Sequence, residues 1–295
     1  MLNFLEKFRT VAKRSKLRKR LQETDFTSKG SPLIFGTAIN YDEVALRPFV
    51  VSLRQSGYTG KVVFFIKNLS EGTHRFLSEN SVEMVELPEV YGHYHIQNAR
   101  WFHYLDYLQN VIISKKDIPS SVFFTDVRDV FFQGNPFQDD IGYLEFFQEN
   151  KTPLLGECHY NSSWIRLCYG AGTLAGMSNS VISCCGTVLG SARGSIEYLL
   201  QMERLLNAMP RRAKRKALDQ GPHNYLIHKQ QLPHASIVGN GNRVFTIGYT
   251  PESEILISAD HQVLTAGGHL CPIIHQFDRH PKVLDAIEAQ LKHFQ

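Results

Sequence analysis

The chain has 295 residues, 43 % of them apolar and 20 % charged, enough to bury a sizeable core and too apolar for a disordered chain. No uncharged apolar run approaches the roughly 18 residues of a membrane span, Glu6 and Lys7 interrupt the first apolar stretch as no secretory leader would allow, and five irregularly spaced Cys suggest reduced, cytosolic thiols rather than a disulfide framework. The formal charge of +4 is uneven: residues 1–30 hold nine Lys or Arg against Glu6, Glu23 and Asp25, and the other 265 residues sum to −2, which argues against nucleic acid as a partner of the body.

The basic balance belongs to MLNFLEKFRTVAKRSKLRKRLQ, where Phe4, Leu5, Phe8 and Val11 fall at helical spacing and Leu17 and Leu21 continue at i, i+4. Such a basic amphipathic helix suits an anionic membrane surface; the alternative is a helix that packs its short apolar stripe on the domain. From Ser31 the pattern becomes strand and helix in turn. PLIFGTAI predicts a buried strand, residues 42–55 a helix, and KVVFFI a second strand, together a parallel βαβ unit. SVEMVEL predicts a third strand, Ile96 to Asn110 a helix, and SSVFFTDV (120–127) a further buried strand. PLLGE (153–157) and CCGTVLG (184–190) are also strand candidates, and helices are predicted over Gly194 to Ala208 and Pro281 to Phe294. Neither GxGxxG nor GxxxxGK[ST] occurs, so phosphate must be met by other groups at the carboxyl ends of the strands.

Those groups are clearest in SSVFFTDVRDVFFQGNPF (120–137), where an apolar strand runs into Asp126, Arg128 and Asp129 and returns to apolar sequence before an NPF turn. Two carboxylates at the exit of a buried strand need a cation. Arg128 can neutralise one of them; Mn²⁺ or Mg²⁺ bridging a nucleotide diphosphate would meet both. The segment resembles the aspartate motif of GT-A-fold glycosyltransferases, and four other motifs resemble theirs in the same order: the N-terminal βαβ unit, NARWFHYLDYL ahead of the aspartate strand, CCGTVLGS with Cys184 or Cys185 where the family has Asn, DQGPHNYLIH (219–228), and IIHQFDRHP (273–281). The acids stand three apart, not two as in Asp-x-Asp, and the distance to Pro136 favours Asp129 as the metal-binding acid with Asp126 as its neighbour.

The resemblance implies an α/β protein: a single GT-A, Rossmann-like domain over residues 31–295 with a mostly parallel central sheet flanked by helices, and residues 1–30 as a basic appendage. By the same resemblance, which is closest to glycogenin-like enzymes in motif order, the metal ligands are Asp129, Asp126 and His275. Tyr41 and Asp42 hold the nucleotide, and Arg100 pairs with Asp126 or a phosphate. Asp219 and Gln220 lie near the transferred sugar, although Asp219 also suits the N-cap of a helix that Pro222 helps to start.

The activity implied is divalent-metal-dependent transfer of a sugar from a nucleoside-diphosphate sugar, a UDP-sugar by default, to a saccharide or lipid-linked saccharide. The place expected is the cytoplasm, peripheral on the inner membrane face if the basic helix of residues 1–21 docks on lipid, in which case the acceptor is a lipid-linked saccharide for a cell-surface polysaccharide. The alternatives are a nucleotidyltransferase or other phosphate-chemistry enzyme, and a non-catalytic polysaccharide-binding scaffold. A chain beginning near Ser31 is expected to stay soluble and keep every donor and metal motif.

Overall fold

The computed structural model describes residues 2–24, 26 and 30–292, with side chains from Lys13 onward. The side chains of Phe4, Leu5, Phe8 and Val11, and the expected helix end at Phe294, lie outside the described residues.

In chain order the regular elements are α1 (Leu2–Glu23), β1 (Leu33–Ile39), α2 (Glu43–Gln55), β2 (Lys61–Lys67), α3 (Glu71–Glu79), β3 (Val82–Glu86), α4 (Ile96–Ser114), β4 (Ser121–Thr125), β5 (Val130–Phe132) and β6 (Leu144–Gln148). There follow α5 (His159–Tyr169), α6 (Ala171–Ala175), β7 (Ser183–Ser191), α7 (Ala192–Ala208), α8 (Arg211–Lys214), α9 (Gln220–His228), β8 (Ser236–Val238), β9 (Val244–Thr246), β10 (Ile255–Ile257), β11 (Val263–Thr265), β12 (Ile273–His275) and α10 (Pro281–Lys292). No helix among the described residues is long and apolar enough to cross a membrane.

The central sheet has seven strands in the order β3-β2-β1-β4-β7-β6-β8, and β7 alone runs against its neighbours. The α/β expectation of a mostly parallel sheet flanked by helices is therefore met. Strands β1, β2 and β4 are apolar almost throughout because helices cover both faces. On one face Trp101 and Tyr104 of α4 pack with Tyr198 of α7, Phe35 and Phe124; on the other Phe49 of α2 packs with Phe64 and Phe132. Helix starts are capped where the sequence offers caps: Asp42 accepts from Ala45 N at 2.9 Å and Ser191 from Gly194 N at 3.1 Å.

PLLGE departs from expectation. It makes a single bridge, Leu154 to Val181, and no strand. Leu154 N donates to Glu157 Oε2 at 2.8 Å and Leu154 O accepts from Cys158 N at 2.9 Å, so local bonds turn this apolar run into the entry of α5.

Helix α1 is not a loose appendage over its second half. Leu17 and Leu21 are buried in the core beside α4, and Arg14 is buried against Asp106, Gln109 and Glu203. Lys13, Lys16, Arg18 and Lys19 remain exposed. A chain beginning near Ser31 would uncover that apolar core and strip two carboxylates of their cation.

A second, three-stranded sheet, β5-β12-β9, leans on α10 and positions the site. In it β12 pairs antiparallel with β5, His275 opposite Val130, and parallel with β9, His275 opposite Thr246.

A candidate metal centre at the carboxyl edge of the sheet

Strand β4 ends at Thr125 and β5 begins at Val130, so Asp126 and Asp129 occupy the short connection between the two sheets. Backbone bonds pin it at both ends: Asp126 N donates to Gly186 O at 2.8 Å, and Gln276 N to Asp129 O at 2.7 Å. The β12–β5 register then delivers His275 to the acids from almost 150 residues downstream. Its Nε2 lies 3.8 Å from Asp126 Oδ2 and 3.9 Å from Asp129 Oδ1, and one ligand atom from each of the three residues falls within 4.8 Å of the others. These three residues could hold a divalent cation.

Two observations test the fit. His275 is fully buried, yet its Nε2 has no hydrogen-bond partner, an arrangement that burial makes costly. Its Nδ1 lies 3.3 Å from Thr246 Oγ1, and an Nδ1–H donated there leaves the Nε2 lone pair for a cation. Ligands about 2.1 Å from an octahedral ion lie about 3 Å apart when adjacent and about 4.2 Å apart when opposite. The spacings of 3.8 and 3.9 Å fall between, so small side-chain adjustments would close the site. The second observation is a cradle. A Cβ at Gly186 would come within 2.5 Å of Asp126 Oδ2 and 3.0 Å of His275 Cε1, so the glycine in CCGTVLGS keeps the space beside the ligands open. Gly186→Ala should weaken Mn²⁺ binding about tenfold or more, because positions that orient ligands typically cost that much. Calorimetric titration with Mn²⁺ checks it, and unchanged affinity would mean that the space serves no ion.

Charge at the site is divided unevenly. Arg100 Nη1 donates to Asp126 Oδ1 at 2.5 Å, while its Nε and Nη2 hold Asp219 Oδ2 at 3.1 and 2.8 Å. Burial alone would raise the Asp126 pKa, but Arg100 and His275 outweigh it and keep the carboxylate well below the usual range. Burial raises Asp129, and the neighbouring Asp126 carboxylate adds to it while His275 opposes it. Burial would lower His275, but the two carboxylates reverse this and raise it. Arg128 is shared between Asp278 and Asp129 and only partly offsets the raised pKa of Asp129. It bonds Asp278 at 2.9 Å and stands 3.7 Å from Asp129. The thiol of Cys184 lies 3.7 Å from His275 Nδ1, and burial raises its pKa.

A cavity of about 550 Å³ opens over this centre, with Tyr41, Arg100, Asp126, Asp129, Asp219 and Gln220 in its lining. Tyr41 is half-buried there, its phenol pKa raised by burial. Asp42 stands apart, occupied in capping α2. Asp219 takes the position before α9 but does not cap it; its carboxylate also accepts from Trp101 Nε1 at 3.1 Å. Gln220 donates from Nε2 to Glu149 Oε1 at 3.0 Å and to Asn161 Oδ1 at 3.2 Å. His280 is structural, bonded through Nε2 to Ile247 O at 2.8 Å.

Glu149 escaped sequence reasoning. It is 3 % exposed, just past β6, and burial raises its pKa against the opposing pull of His275 and Gln220. The signal was available, because LEFFQE repeats the pattern of SSVFFTD: an apolar strand running into an acid.

No protein-family model matches the chain, and no curated protein matches it.

Proposed function

We propose that the protein is a divalent-metal-dependent glycosyltransferase that moves a sugar from a nucleoside-diphosphate sugar, a UDP-sugar by preference, to a saccharide or lipid-linked saccharide. The observation that carries this reading is the orphaned, buried Nε2 of His275 facing Asp126 and Asp129. The two acids line the cavity in which the resemblance to GT-A glycosyltransferases puts the donor diphosphate. A bound Mn²⁺ or Mg²⁺ would supply positive charge opposite the leaving diphosphate.

The chain's own groups account for the remainder. Arg100 bonds both Asp126 and Asp219, so it fixes the Asp126 carboxylate and leaves Oδ2 turned toward His275. Asp219 therefore acts as a positioning residue for Arg100, with Trp101 Nε1 securing its other side. Tyr41 offers an aromatic face to a nucleotide base. Gln220 lines the same cavity, where a transferred sugar would sit. The exposed cations Lys13, Lys16, Arg18 and Lys19 suit an anionic membrane surface, each adding about 1 kcal/mol near the lipid at low salt. Packing of Arg14, Leu17 and Leu21 on the domain would hold the site close to that surface.

The test is thermal stability with nucleotide and metal. UDP with Mn²⁺ should raise Tm, by linkage equivalent to about 2.7 kcal/mol at a hundredfold excess over Kd. Either component alone should do much less, because each completes the other's ligand set. A rise with phosphate or with any triphosphate, equal to that with UDP, would favour phosphate chemistry instead.

A further inference from the structure

The donor cavity does not end at Gln220. A second cavity of about 430 Å³ shares Trp164, Gln220, Gln276 and Arg279 with it, so the two adjoin. Its floor is polar and buried: Glu149 and Asn161 are each 3 % exposed and are tied together by Gln220. Its rim is aromatic and wet. Tyr160 is 61 % exposed and Tyr249 40 % exposed, two of the few large apolar side chains left open to solvent among the described residues. Tyr160 and Trp164 lie one turn apart on α5, with ring centroids 6.0 Å apart and planes at 40°.

Buried polar groups and exposed aromatic faces are the informative departures from ordinary burial, and here both meet in one cavity. An aromatic face is electron-rich and attracts the slightly positive C–H face of a sugar ring, while planar carboxylates and amides pair with its hydroxyls. The carboxylate of Glu149 disfavours an anionic ligand, and Arg279 at the rim is already 3.5 Å from Asp278. We propose that this second cavity binds the acceptor as a neutral pyranose, with a ring face on Tyr160 and Trp164 and hydroxyls on Glu149 and Asn161. Its role as acceptor rests on the donor reading above; its affinity for saccharide does not. Gln220, at the junction, touches both cavities and sets the distance between the two sugars.

Saturation-transfer NMR on the full chain tests it with methyl α- and β-D-glucopyranoside and methyl α- and β-D-galactopyranoside, each with and without UDP and Mn²⁺. At least one should receive saturation, more at ring protons than at the methyl group. Tyr160→Ala should weaken that binding about fivefold or more, the scale of a lost aromatic contact, and Tyr160→Phe should retain it. Asn161→Ala should weaken it likewise, with Tm confirming the fold. If none of the four pyranosides is saturated, or if Tyr160→Ala is saturated as fully as wild type, the inference is overturned. If pyranosides bind and depend on Tyr160 but UDP with Mn²⁺ produces no thermal shift, the saccharide site stands and the nucleotide-donor reading falls.

Discussion

Asp129→Asn should abolish transfer, with UDP release from the donor falling about a thousandfold, while the protein remains folded. The structural work of this residue is done by its backbone, which accepts from Gln276 N at 2.7 Å and survives the change. The side chain contributes little to the fold. Its oxygens lie 3.7 Å from Arg128 and 3.9 Å from His275, beyond hydrogen-bond length. It is also buried beside a second carboxylate, and its pKa is raised for that reason. A carboxyl whose folded pKa exceeds its unfolded value costs stability once the pH is above both. Removing it should therefore leave the metal-free Tm at neutral pH unchanged or slightly higher. What Asn cannot do is bring anionic charge to a divalent ion, so Mn²⁺ affinity should fall together with turnover. Calorimetry, differential scanning and UDP-release assays on one preparation separate these effects. Activity within a few-fold of wild type would remove Asp129 from the metal site. A collapsed Tm would show instead that the carboxylate serves the fold.

Arg14→Ala should destabilise the protein by about 3 kcal/mol, the largest single-residue stability effect expected here. Arg14 is 5 % exposed. Its Nη2 bonds Asp106 Oδ1 at 2.8 Å, its Nε bonds Glu203 Oε1 at 3.0 Å, and its Nη1 bonds Gln109 Oε1 at 2.6 Å. Asp106 is further engaged by Tyr91 Oη at 2.7 Å. Burial would lower the pKa of Arg14, but Glu203 and Asp106 outweigh it and raise it. Truncation leaves Glu203, only 13 % exposed, without its cation, and an unpaired buried charge is what makes such losses large. The double variant Arg14→Ala/Glu203→Gln should recover part of the loss, because the stranded carboxylate is then gone. Denaturant unfolding of the single and double variants reads both numbers. Equal stability of Arg14→Ala and wild type would mean that α1 docks through Leu17 and Leu21 alone, and that the basic helix is freer to leave the domain than its packing indicates.

Part of the site was legible because its chemistry lies in contiguous sequence. Asp126 and Asp129 are flagged by an apolar strand that breaks into charge, and the expense of burying charge makes that pattern informative without any fold. His275 was reached through motif resemblance, since one imidazole among 13 His carries no local mark. The short strands β9 and β12 that deliver it are three residues each, too short to show alternation, and they form because β5 pairs with β12 and β12 in turn with β9. A similar limit hid the second half of the cavity: Asn161, Tyr160 and Tyr249 come from separate elements and do not stand out beside their neighbours in sequence, whereas Glu149 does carry the mark of an apolar strand running into an acid.

The sequence by itself determined that this is an α/β protein with a mostly parallel sheet, because buried strands covered on both faces must be apolar throughout and the helices between them must be apolar on one side. It also determined that two acids stand where the strand ends. Only the tertiary structure decided what those acids face. Asp219, eligible as a helix cap by residue type, was drawn to Arg100 and Trp101 because buried charge finds its strongest partner wherever the chain brings one. Arg128, adjacent to Asp129 in sequence, turned to Asp278. Asp42 spent its carboxylate on a backbone amide three residues on. Helix α1, readable as a free basic arm, was docked by one arginine whose two carboxylate partners lie 92 and 189 residues away. Electrostatic pairing depends on distance in space, and sequence separation constrains that distance only within a helix turn or a strand pair.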